Sequence, residues 1–285
     1  MKFGIAFANA AGFANPDNAI AIAQGAEANG FDSLWTVEHV IVAAGYQSAY
    51  PYSPDGKMPG GDSAVIPDPL VWLAFVAAHT TTLKLGTGIL ILPQRSPVVV
   101  AKEVATLDRL SRGRVLLGVG IGWLEEEFQA IGVPFKERGA RLDEHVAVMR
   151  EAWKGNNISF AGRFTNFPVS FSQPTPADGR SVPIVVGGHS PQAARRAGRI
   201  GDGFFPAGGT ADQLTALLAI MRDAAIEAGR DADAIEITTS AASSIDEMKR
   251  FEDIGVHRVL IGPRHYDARV TDQLERYQQD VISKM

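Results

Sequence analysis

The 285-residue chain is 46% hydrophobic and 21% charged, enough to bury one sizeable core or at most two smaller ones. Its net charge of -5 supplies neither a basic footprint for nucleic acid nor a polybasic membrane anchor, and the absence of cysteine excludes disulfides, thiolate metal sites and cysteine nucleophiles. No run approaches the ~18 uninterrupted apolar residues of a membrane span, and the apolar start is broken by Asn9 and Gly12 as a buried first strand would be rather than a signal peptide, so a cytoplasmic protein is expected.

Short apolar runs recur along the chain, each followed by Gly, Pro, Asn or Asp and then by helical periodicity, the pattern of parallel strands joined by crossover helices. The pattern predicts strands at 2–8, 33–36, 84–88, 115–119, 183–186, 203–206, 235–239 and 258–261, which together match a (β/α)8 TIM barrel in a single domain, 1–285. Helix starts are signalled by Asn15-Pro16-Asp17, Pro97 and Ser190-Pro191, and further helices are expected over 212–227, 245–254 and 266–282.

Two segments interrupt the alternation. Residues 40–68, rich in Gly, Pro, Tyr and Ser, form an insertion loop after strand 2 that is too long for a turn and reads as a lid or substrate-pocket loop. Residues 158–171 alternate apolar and polar residues about Ala161-Gly162-Arg163 and predict an added hairpin before strand 5. A Rossmann sheet is the rival architecture, because Leu116-Leu-Gly-Val-Gly-Ile-Gly-Trp123 resembles a dinucleotide fingerprint. With Gly118 and Gly120 as its first glycines, however, the third falls on Trp123.

In a (β/α)8 barrel the reacting groups sit just beyond the carboxyl ends of the strands. Glu38 and His39 follow strand 2 directly and adjoin the long loop, which makes them the candidate catalytic pair. His79 and His145 fall in outer helical patterns, and His257 and His265, which bracket the last strand, receive no role. After strand 3, Gly86 and Gly88 flank Thr87 and let backbone approach a flat ring, although a plain tight turn accounts for them equally. Gly118, Gly120 and Gly122 make a similar bare surface after strand 4. The acidic run Glu125-Glu126-Glu127 then reads as a solvated first helical turn complementing the helix dipole.

Strand 5 ends in Val186-Gly-Gly-His-Ser-Pro-Gln192, where a Gly-Gly turn and a helix N-terminus suit a phosphate, with Gly201-Asp-Gly-Phe-Phe-Pro206 beside it. No metal-ligand spacing, Gly-x-Ser-x-Gly elbow or Walker loop is present, and no Lys ends a predicted strand, so metal hydrolase, serine hydrolase, nucleotide-triphosphatase and Schiff-base lyase readings fall away. Tyr46, Tyr50, Tyr52 and Trp72 point to an uncharged or aromatic-compatible small-molecule substrate.

Five segments, in order, resemble the luciferase-like monooxygenase superfamily and especially its F420-dependent oxidoreductase branch. They are Gly30-Phe-Asp-Ser-Leu-Trp-Thr-Val-Glu-His39, Leu85-Gly-Thr-Gly-Ile-Leu-Ile-Leu-Pro93, the run from Ala101 to Arg114, Leu117-Gly-Val-Gly-Ile-Gly-Trp123 and Val185-Val-Gly-Gly-His-Ser190. The resemblance implies that His39 stands near the cofactor ring and assists proton transfer or orients the substrate. It also implies a non-proline cis peptide at Gly88-Ile89, so that Thr87, Gly88 and Ile89 form a bulge behind the ring. Gly120, Ile121 and Gly122 would line the ring's far edge, and Gly187, Gly188 and His189 would hold the cofactor's phosphate. The Gly-Gly-His-Ser loop resembles the F420 users; FMN-dependent monooxygenases and a non-catalytic flavin-binding barrel are the alternatives. Glu38 stands where the family pattern often has Asp, and serves either as an acid or as a strand cap. A homodimer is also implied.

Overall fold

The computed structural model describes residues 1–240, 242 and 244–285. In chain order the elements are β1 (Lys2–Ile5), α1 (Pro16–Ala28), β2 (Ser33–Thr36), α2 (Pro69–Ala77), β3 (Lys84–Thr87), β4 (Leu90–Ile91), α3 (Pro97–Leu110), β5 (Val115–Gly120), α4 (Glu125–Ala130) and α5 (Arg138–Ala152). There follow β6 (Ile158–Ala161), β7 (Asn166–Ser170), β8 (Ile184–Gly187), α6 (Pro191–Ile200), β9 (Gly203–Phe205), α7 (Ala211–Glu227), β10 (Glu236–Ser240), α8 (Ile245–Asp253), β11 (Arg258–Ile261) and α9 (Val270–Asp280).

Eight of the strands, β1, β2, β3, β5, β8, β9, β10 and β11, pair in parallel around a closed ring, with β1 on β11 and β3 on β5 completing it. This is the expected (β/α)8 barrel, and all eight expected strands occur in it. The short β4 continues past a bulge at Gly88-Ile89, whose peptide is cis, and pairs beside β5, Leu90 opposite Val119 and Ile91 opposite Gly120. The hairpin β6–β7 stands apart as its own antiparallel pair.

Period-two alternation sorts the strand residues into two cores. Leu34, Ile184, Val186, Phe204 and Val259 face the helices, whereas their neighbours Trp35, Val185, Phe205 and Leu260 fill the barrel with Ala6. Trp35 dominates that interior, and Gly86 on the adjacent strand admits its indole: a Cβ at Gly86 would lie 2.6 Å from the ring. Gly86 therefore serves barrel packing and not a flat ligand.

Helix starts follow the expected signals. Asn15 accepts hydrogen bonds from the Asp17 and Asn18 amides, α3 starts at Pro97 and Ser190 caps α6, while the caps at Asp68 on α2 and the Thr210–Gln213 capping box on α7 were not anticipated. The helix α2 gave no periodic signal because Pro69-Leu-Val-Trp-Leu-Ala-Phe-Val-Ala77 is apolar on every face. Two expected elements are shorter than their patterns by three residues or more. β1 stops at Ile5 because Phe7 turns the chain at a φ of +56°, and α9 begins at Val270, which leaves Tyr266 in the loop before it. No helix among the described residues is long and apolar enough to cross a membrane.

Candidate functional site

A cavity of about 660 Å³ opens at the carboxyl ends of the barrel strands. Its walls come from the β1 and β2 ends, the insertion loop, the Gly88-Ile89 bulge, the β5 end and the turn into α6. Glu38, His39, Gly88, Ile89, Gly120, Ile121, Gly122, Gly187, Gly188 and His189, nominated from segments far apart in sequence, all line it. Thr87 does not. It is buried within β3, where its hydroxyl donates to the Gly118 carbonyl at 2.6 Å, because its position in the strand turns it into the wall.

The glycines at the β5 and β8 ends make room for Ile89. A Cβ at Gly120 would lie 2.6 Å from Ile89 Cδ1, and one at Gly187 would lie 2.5 Å from its Cγ2. Ile89 is thereby set between the two strand ends, with Ile121 also on the cavity wall. At the far side the α6 start lies open to the cavity. The Gly188 amide is already spent on the Phe205 carbonyl and the Ala193 amide on Ser190 Oγ. The Gly188 amide is therefore not open to the phosphate expected of Gly187, Gly188 and His189, and the helix start leaves the amides of His189, Ser190 and Gln192 as the other backbone donors at this end. Arg196 lines the same end and is held to Asp143 at 2.5 Å.

Glu38 is enclosed, and both its oxygens are engaged: Oε2 accepts from the Ile91 amide, and Oε1 accepts the Arg95 guanidinium, which also reaches Asp68 at 2.7 Å. Burial pushes the Glu38 carboxyl up, while Arg95 and the Ile91 amide pull it back. Burial alone would lower Arg95, but Glu38 and Asp68 raise it. The arrangement ties the end of β2 to the chain leaving the bulge.

Sequence reasoning missed Glu127. Far from standing in a solvated helical turn, its side chain is 0% exposed, and Oε2 lies 3.1 Å from His39 Nδ1. Oε1 accepts the Val40 amide at 2.5 Å and the Ile41 amide at 3.3 Å. Burial would push this carboxyl up, yet the hydrogen bonds and the charge partnership with His39 hold it below the ordinary range. Its neighbour Glu126 accepts the Ser48 hydroxyl and the amides of Gln47 and Ser48, which bring it down to about 2. Two of the three acidic residues thus fasten the insertion loop; the only signal in the sequence was that an acidic run and a long loop both follow barrel strands.

Of the four aromatics nominated for the pocket, Tyr50 and Tyr52 line it, and Tyr52 packs on His189 with centroids 4.8 Å apart. Tyr46 is instead buried where the loop packs on Trp123, and Trp72 donates to the Phe13 carbonyl on the outer side of the barrel. Trp123 itself lines the cavity, edge-on to His39 at 5.5 Å. Phe7, Ala10, Ala11, Val65, Ile66 and Tyr266 also line the cavity; Phe7 was expected inside the first strand and Tyr266 inside the last helix, and the others lie outside the expected strands, where strand periodicity carries no signal.

The chain matches the luciferase-like monooxygenase family over residues 1–254. An uncharacterised protein of Mycobacterium tuberculosis is 36% identical over 246 residues, 86% of this chain and 84% of that one. An F420-dependent glucose-6-phosphate dehydrogenase of Nakamurella multipartita is 34% identical over 268 residues, 91% of this chain and 74% of the relative. In fold the chain is similar to an F420-dependent secondary alcohol dehydrogenase solved with an F420-acetone adduct, with a TM-score of 0.80 at 20% identity, covering 100% of this chain and 99% of that one. With its closed parallel barrel, its bulge after β3 and its cavity at the strand ends, the chain belongs to the luciferase-like monooxygenase family of enzymes.

Proposed function

We propose that this protein is an F420-dependent oxidoreductase that transfers a hydride between the deazaflavin and a small neutral organic substrate, a carbonyl, alcohol or enone, with His39 handling the accompanying proton. The observation that carries the reading is the single cavity joining His39, the Ile89 bulge and the amide-lined start of α6. These residues fit such a cofactor: bare strand ends and aliphatic side chains suit a flat ring, and a helix N-terminus beside Arg196 suits a phosphate. Bound there, the cofactor supplies a two-electron hydride donor or acceptor.

The chain's own residues do the rest. The amides of His189, Ser190 and Gln192 would hold the phosphate, and Ile89 with the 120–122 strand end would back the ring. His39 takes a proton from an alcohol hydroxyl or returns one to a carbonyl oxygen. Glu38, with both oxygens occupied, braces the strand end that carries His39. Tyr50 and Tyr52 of the insertion loop keep water from the cavity.

The wall built from Phe7, Ala10, Ala11, Val65, Ile66 and Tyr266 supports a neutral substrate. Among the described residues, Arg196 is the one Lys or Arg on the cavity lining, and Asp143 already holds it. A sugar phosphate, the substrate named for the Nakamurella relative, would bury a dianion there without a free cation, at a cost of several kcal/mol. A homodimer is proposed as well, supported by the exposed apolar residues Val71 and Phe75 on α2 and Val98 and Val99 on α3; sedimentation of a monomer at micromolar concentration would refute it.

The deciding experiment is titration with F420 and, separately, with FMN, followed by the fluorescence of Trp123 and its neighbours. Micromolar F420 binding with weak FMN binding is expected. Preference for FMN would make the protein an oxygen-dependent monooxygenase, and failure to bind either would remove the oxidoreductase reading.

A further inference from the structure

We infer that Glu127 is the positioning residue for His39: its carboxylate holds the imidazole in the tautomer protonated at Nδ1, keeps Nε2 bare toward the cavity, and through its other oxygen latches the start of the insertion loop to the same point. The inference bears on the proton-handling role proposed above but stands on separate geometry.

Three observations carry it. Glu127 is fully enclosed while the His39 ring, 10% exposed, lines the cavity, so the carboxylate reaches the cavity only through the imidazole. The carboxylate lies 3.1 Å from Nδ1 and accepts the Val40 and Ile41 amides on its other oxygen. It is held ionised, since the Val40 and Ile41 amides donate to it and its carboxyl lies below the ordinary range despite burial. An ionised carboxylate only accepts, so the nitrogen facing it must carry hydrogen and the other nitrogen of a neutral ring must be bare. A bare Nε2 accepts a proton from a hydroxyl, and the buried negative charge steadies the imidazolium that results.

The two oxygens of Glu127 also make the inference sharply testable. In Glu127→Gln the Val40 and Ile41 amides still require an acceptor, so the new carbonyl oxygen remains with them and the new NH2 faces His39. That group donates, which forces Nδ1 to become the acceptor and moves the ring proton to Nε2. A near-isosteric change thus inverts the tautomer without removing the loop's anchor.

The experiment is long-range nitrogen–proton NMR of the His39 ring at about pH 9, above the ordinary imidazole range, in wild type and Glu127→Gln. Hydrogen on Nδ1 in wild type and on Nε2 in the variant is expected, with a fall in turnover of about 10²- to 10⁴-fold. The wild-type spectrum suffices if the variant fails to fold: a ring protonated at Nε2 overturns the inference. So does an unchanged tautomer in a variant whose circular dichroism and Tm match wild type. The failure of His39 as the proton-handling group reads out elsewhere, as full turnover by His39→Ala while the wild-type ring still shows hydrogen on Nδ1.

Discussion

Buried charge occurs at both ends of the barrel, and the two ends use it differently. At the amino-terminal face Arg258, 2% exposed, is surrounded by Asp32, Glu236 and Thr238, with its guanidinium over the Trp35 ring at 5.6 Å. Arg114 nearby donates to Ser111, Thr80, Leu83 and Ala77. The two guanidiniums are enclosed by protein at this end. At the carboxyl-terminal face the His39–Glu127 and Glu38–Arg95 pairs are as well partnered, but His39 has one nitrogen beyond its partner, on a ring that borders a cavity. Burial and pairing mark both ends; only a polar atom left over beside a void distinguishes chemistry from stability.

Substitution at the two ends should separate these roles, and the largest effect is expected at the top. His39→Ala should lower turnover about 10²- to 10⁴-fold with a smaller loss of Tm than Arg258→Met, because Glu127 keeps the Val40 and Ile41 amides when the imidazole is removed, as steady-state kinetics and thermal melts will show. A large loss of Tm would put His39 in the same class as Arg258. The reciprocal change, Arg258→Met, should cost about 3 kcal/mol in chemical denaturation, the lower end for a broken buried pair because Asp32 and Glu236 remain partly exposed. Cofactor affinity of the folded fraction should not change; if it does, the amino-terminal end of the barrel is coupled to the site.

A smaller effect is expected where the site's glycines meet Ile89. Gly187→Ala places a methyl 2.5 Å from Ile89 Cγ2, so Ile89 must shift. A destabilisation of about 1–3 kcal/mol is expected, with cofactor affinity lowered about tenfold in the fluorescence titration. Unaltered affinity would show that the bulge does not touch the bound ring.

The mildest test is acid. Glu126 is lowered from 4.5 to about 2, and Glu127 is lowered as well. Carboxyls depressed on folding stabilise above the unfolded value and lose that contribution as pH falls through the folded value. The loop they fasten should therefore stay docked down to about pH 4.5 and loosen toward pH 2. Trp123, packed against Tyr46 and Tyr50 of that loop, reports this through its emission, and cleavage within 40–68 by an acid-active protease provides a second reading. Loosening above pH 5 would assign the anchor to other groups.

Most of the barrel was legible in the sequence because strand burial and helix capping are local. Eight apolar runs, the Pro97 helix start and the Ser190-Pro191 cap translate directly into elements, and β2 and β11 run from Ser33 to Thr36 and from Arg258 to Ile261 as the pattern predicts. Nearly all the nominated cavity residues follow from the rule that barrel sites gather beyond strand ends, together with the family resemblance.

What the sequence could not determine is which neighbour each polar or bare residue meets. Gly86 was nominated for a flat ring and instead admits Trp35; Thr87 was nominated for the cofactor and instead hydrogen-bonds Gly118 within the wall; Glu127 was assigned to solvent and instead holds His39 across 88 positions of chain. Periodicity specifies the face of a strand or helix on which a side chain lies, so it determined the barrel and the end at which chemistry would sit. Partnership depends on barrel closure and on where a long loop returns, and those contacts, set by packing between distant segments, were decided only by the tertiary structure.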